Sequence, residues 1–102
     1  MSKDYKAYAG EVDARATNLF KAAPETMRAY RGLMEAASKD GALDAKTKEL
    51  MALAIGIAVR CDGCIVYHAR ASHRHGASRD EVVETIGVAI ELGGGPSAVY
   101  GA

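Results

Sequence analysis

The sequence predicts an all-α fold of about five to six helices, and three observations carry that prediction. Leu50, Leu53, Ala54, Ile57 and Ala58 recur at helical spacing in the segment that leads into the only Cys-x-x-Cys of the chain. That segment has none of the strand character a thioredoxin-type fold needs ahead of its dithiol. Ser78-Arg79-Asp80-Glu81 has the form of a capping box, with a second periodic apolar run behind it. At 102 residues the chain is expected to be one domain spanning positions 1–102, with its distinctive motifs between 43 and 100.

Each element follows from local signals. Residues 3–21, beginning at Lys3, carry Tyr5, Tyr8, Val12, Ala16 and Leu19 as an irregular helical stripe. Pro24 suits the first turn of a second helix, and Glu25 sits favourably near its positive end. That helix presents Met27, Tyr30, Leu33, Met34 and Ala37 and is expected to stop near Gly41. Asp44 is an N-cap candidate for a third helix running to about Val59. Residues 60–63 read as a break, with a fourth helix from near Cys61 to Gly76. The capping box opens a last long helix through Val82, Ile86, Ala89 and Ile90. Gly93-Gly94-Gly95-Pro96 ends it, and this glycine run reads as a helix stop and loop, lacking the strand-and-helix setting of a phosphate loop.

Composition narrows the function classes. Thirteen basic and thirteen acidic residues balance, which points away from a nucleic-acid surface and from polybasic membrane anchoring. The amino-terminal residues contain no apolar signal core, and no apolar run approaches a membrane span, so a cytoplasmic location is expected. In that compartment a lone cysteine pair is more often catalytic or metal-binding than a structural staple. The chain is rich in Ala and Gly, with one Phe and no Trp. So few large side chains suggest that helices of neighbouring copies complete the core in a homo-oligomer.

The chemistry concentrates around Cys61-Asp62-Gly63-Cys64, with His68 one turn beyond and Glu49 one helix before. A c-type haem motif would need His directly after the second cysteine, where Ile65 stands. For zinc, Cys61, Cys64 and His68 share a helix face at about 100° per residue, but His73 points elsewhere. His75 lies roughly 10 Å further along the axis than His68. A fourth ligand would have to come from another segment or subunit. No metal and no cofactor is therefore expected.

A redox dithiol uses the same residues more completely. A helix starting at Cys61 stabilises a thiolate in its first turn, and His68 reaches Cys64 as an i, i+4 pair. Glu49 adjoins the stripe of Leu50, Leu53 and Ile57, where it can orient His68 and accept its proton. Taken singly, each residue has a plainer reading: small buried thiols, a solvated Glu, a surface His. Tyr67 reads as packing beside the site or ending in solvent, with a proton-relay role as the lesser alternative. Arg60, Arg70, Arg74 and Arg79 read as solvated or subunit-contact charges, and His73 and His75 as solvent-facing.

The spacing E-x11-C-x2-C-x3-H, formed by Glu49, Cys61, Cys64 and His68, resembles the AhpD-like alkylhydroperoxidase branch of the carboxymuconolactone decarboxylase family. The resemblance continues through Ala69-Arg70-Ala71, the stretch from His75 to Val82, and Gly95-Pro96. It implies a compact helical domain assembling as a trimer or hexamer, with its site near a subunit contact. It also implies reduction of hydrogen peroxide or organic hydroperoxides, recycled by a dithiol reductant or reductant protein. On this chain Cys64 would be the attacking thiolate, Cys61 the resolving cysteine, and Glu49 with His68 the proton relay. AhpD-type enzymes carry a further His just before the second cysteine; Gly63 stands there and removes one donor from the relay. Two other readings use the same sequence. A lactone-acid decarboxylase would dispense with the cysteines and depend on basic residues such as Arg60 or Arg70, and a thiol redox sensor would change assembly without turnover.

Overall fold

A computed structural model describes residues 4–102 and contains six helices among them: α1 (Tyr5–Ala22), α2 (Pro24–Ser38), α3 (Ala45–Ala58), α4 (Asp62–Arg74), α5 (Arg79–Gly93) and α6 (Gly95–Gly101). The all-α expectation holds. The expected first helix began at Lys3, which lies outside the described residues. No described helix is long and apolar enough to cross a membrane.

The chain divides into two units, residues 1–39 and 40–102. In the first, the Asp4 side chain caps α1 by accepting from the N–H groups of Lys6 and Ala7, both at 3.1 Å. Pro24 opens α2 as its spacing predicts. The two helices pack on each other, and the Arg31 guanidinium lies 4.9 Å from the centre of the Phe20 ring. Neither helix contains a buried residue.

The second unit is organised around α3, which packs against α4, α5 and α6. Its start is fixed by two aspartates. Asp44 accepts from the Thr47 N–H at 2.8 Å, and Asp40 accepts from the Ala45 N–H at 2.7 Å. Leu53 and Ile57, one turn apart, are 2 % and 1 % exposed and meet Ala89 of α5, with Ala54, Ile65, Val82 and Ile86 packed around them. The capping box forms in full: Ser78 Oγ accepts from the Glu81 N–H, and Glu81 Oε1 accepts from the Ser78 N–H. The other Glu81 oxygen reaches Lys46 Nζ at 2.8 Å and ties the start of α5 to the start of α3.

The break between α3 and α4 is a Schellman turn. The Arg60 N–H donates to the Ile57 carbonyl at 3.1 Å, the Cys61 N–H donates to the Gly56 carbonyl at 3.0 Å, and Arg60 takes a φ of 60°. The end of α4 repeats the motif. Gly76 donates to His73 and Ala77 to Ser72, but here the left-handed position, at φ 86°, belongs to glycine. The glycine run is the one place where the expected path differs. It stops α5 as anticipated, yet the chain enters α6 rather than a loop, because Pro96 stands in the first turn, where a missing N–H costs nothing.

Two expectations follow. Arg60→Gly relieves a left-handed non-glycine residue and raises stability by about 1 kcal/mol, whereas Gly76→Ala lowers it by about as much; urea unfolding of the two variants checks both. The second concerns pH. The Glu81 carboxyl is held below its ordinary value by the Lys46 ammonium and then by the Ser78 N–H, and Asp44 is lowered by its hydrogen bonds with Thr47. Carboxyls depressed in the folded state stabilise it above their unfolded values and lose that contribution as pH falls through the folded ones. The urea midpoint is therefore expected to decline below about pH 4.5, and Glu81→Gln to flatten part of the decline.

Candidate active site

The site lies where α3 ends and α4 begins. The Schellman turn delivers Cys61 in extended conformation, φ −102° and ψ 98°, as the N-cap of α4. Its Sγ accepts from the Cys64 N–H at 3.2 Å, so sulfur takes the place a serine or aspartate oxygen would fill. Cys64 is the third residue of the helix. The two cysteines form a disulfide with their Cα atoms 5.2 Å apart. Both are half-buried, so the pair combines a helix amino terminus with access from solvent.

One turn along α4, His68 lies on the face of Cys64, a pairing that brings Cβ atoms to about 5–6 Å. Its Nδ1 is 2.6 Å from Oε2 of Glu49 on α3. Glu49 is only 7 % exposed, which excludes the solvated-face reading of this residue. A carboxylate on Nδ1 holds the imidazole tautomer that leaves Nε2 as a proton acceptor. The Ser72 hydroxyl, fully buried, donates to the His68 carbonyl at 2.6 Å, and the Tyr67 ring meets that of His68 edge-on with centres 4.9 Å apart. The helix thus carries an acid-backed imidazole one turn from a dithiol. That set can generate a thiolate, take up its proton and return it.

Of the four residues singled out in the sequence, Glu49 and His68 are in contact across the α3–α4 packing, and Cys61 and Cys64 are bonded to each other. Tyr67 adjoins His68 as expected. Arg60, Arg70, Arg74, Arg79, His73 and His75 are all exposed. Among the described residues no three His, Cys, Asp or Glu side chains are grouped to hold a metal ion. Sequence reasoning missed Gly56 and Ser72. Gly56 is buried where α3 meets Cys64, and the available signal was a lone glycine inside an apolar helical run.

A sequence model of the carboxymuconolactone decarboxylase family matches residues 24–102, which include the whole site. The chain belongs to that family. A carboxymuconolactone decarboxylase family protein from Legionella pneumophila has a crystal structure that superposes with a TM-score of 0.93 at 40% identity, covering 98% of this chain and 89% of that one. A Thermotoga maritima protein of known structure gives a TM-score of 0.75 at 32% identity, over 97% of this chain and 84% of its own. An uncharacterised protein of Cupriavidus necator is 39% identical over 100 residues, or 98% of this chain and 88% of that protein. Both structures thus extend the likeness beyond the family segment to nearly the full length of the chain.

Proposed function

We propose that this family member is a thiol–disulfide oxidoreductase of the AhpD-like branch, reducing hydrogen peroxide or organic hydroperoxides through Cys61 and Cys64. The observation that carries the reading is the Glu49–His68 bond set one helical turn from a disulfide-forming pair at a helix amino terminus. In the first step the Cys64 thiolate attacks the terminal peroxide oxygen. The O–O bond breaks, Cys64 becomes a sulfenic acid, and the departing alkoxide or hydroxide takes a proton. His68 holds the proton removed from the thiol and returns it to that leaving group, with Glu49 stabilising the imidazolium. The Cys61 thiol then attacks the sulfenic sulfur, releasing water and closing the disulfide. A dithiol reductant supplies two electrons and two protons to reopen it by thiol–disulfide exchange.

The active form in this reading is a homo-oligomer, a trimer or hexamer, in the cytoplasm. Met51 and Ile55 on α3 and Val59 at its C-cap form an exposed apolar stripe one turn apart, and Val83, Val88 and Leu92 are exposed on α5. Such stripes on a helical unit with so small a core fit burial against further copies.

Turnover of hydroperoxide by the reduced protein, with a small dithiol as recycling donor, tests the chemistry. Cys64→Ser is expected to abolish it. Cys61→Ser, which keeps a capping oxygen, is expected to allow one oxidation and block recycling, and Glu49→Gln to lower the rate by about 10²–10⁴-fold. Wild type that fails to turn over with both thiols free at the start overturns the peroxidase reading. Sedimentation at micromolar concentration tests assembly: wild type is expected at about three or six chain masses, and Ile55→Glu at a lower multiple. A monomeric wild type would reject the oligomer.

A further inference from the structure

We infer that Gly56 is a positioning residue that biases the Cys61–Cys64 pair towards its disulfide. The inference deepens the redox reading above and rests on it. Gly56 touches both ends of the dithiol. Its carbonyl accepts the Cys61 N–H at 3.0 Å, and its bare Cα faces the first turn of α4. A methyl group added there would stand 3.2 Å from Cys64 Cβ, 3.6 Å from the Cys64 carbonyl carbon and 3.6 Å from the Ile65 nitrogen. The first distance is shorter than the roughly 3.5–4.0 Å at which carbon atoms rest. Gly10, Gly32 and Gly87, also inside helices, have nothing within 4 Å of the corresponding position.

All three contacts are to main chain or Cβ, so rotation of a side chain does not relieve the crowding. Either α4 moves away from α3 or the first turn of α4 deforms. The two states of the dithiol differ in their capacity to do so. In the disulfide, Cys61 is bonded to Cys64 and also held by the Gly56 carbonyl, so the turn is tied at both ends. In the dithiol only the backbone tie remains, and the first turn of α4 can yield. Absence of a side chain at position 56 therefore favours the closed form over the open one. The couple it biases is the gain of two electrons and two protons by the disulfide, supplied by a thiol reductant, to give two thiols.

The test is equilibration of Gly56→Ala with glutathione redox buffers, reading the fraction of disulfide and, separately, the unfolding midpoint of each redox form. Gly87→Ala is the control for adding a methyl to a helical glycine. In Gly56→Ala the equilibrium is expected to shift about tenfold towards the dithiol, with the oxidised form losing more stability than the reduced one. Gly87→Ala is expected to leave the equilibrium unchanged. An equilibrium within about twofold of wild type, whatever the loss of stability, overturns the proposal and leaves Gly56 as packing alone. If Gly56→Ala does not fold, wild type decides. Protection of the Cys61 amide against hydrogen exchange is expected to fall at least about tenfold on reduction, and unchanged protection overturns the proposal. Neither readout involves peroxide, so failure of the peroxidase reading would appear in wild-type turnover and not here.

Discussion

The hydrogen bond from the Cys61 N–H to the Gly56 carbonyl closes one helix and aims the next. With Arg60 in the left-handed region, it turns the chain sharply enough for α4 to fold back along α3. That return brings His68 over Glu49, which stands about one turn from the start of α3 and is otherwise a carboxylate beside an apolar stripe. It also leaves Cys61 with a conformation that caps α4. The dithiol, the acid-backed imidazole and the burial of Leu53 and Ile57 thus share one geometric condition, the spacing of α3 and α4 at their junction.

Several parts of this arrangement were legible in the sequence because they are local. Asp44, Ser78 with Glu81, and Pro24 act within one turn of their own positions, so residue type and spacing suffice to read them. The pairing of Glu49 with His68 was legible for a different reason: each lay on the predicted inner face of its helix, and two packed helices bring such faces together. The glycine run was read by its glycines alone. Pro96 carried the same helix-opening signal as Pro24, and α6 shows that it prevailed.

What the sequence did not disclose depends on tertiary contact. The break at residues 60–63 was legible, but not which residue turns the chain: the left-handed position falls to Arg60, while Gly63 lies inside α4. No local pattern distinguishes these, since the choice depends on where α3 must release the chain to dock α4. Gly56 was invisible for a related reason. Its meaning lies in a distance to Cys64, eight positions away, and a glycine in a helix otherwise reads only as a local weakness.

The disulfide spans just three positions in sequence. Cross-links gain their hold on a protein chiefly by shrinking the disorder available to the unfolded chain, and that gain grows with the length of the loop they close. A bridge this short removes little disorder, and much of it falls within a turn that the Cys64 N–H already organises. The architecture of α3, α4 and α5 therefore does not need the bond to persist. In the redox reading proposed above, a cysteine pair freed from duty as a clamp opens and closes repeatedly while the surrounding helices stay assembled.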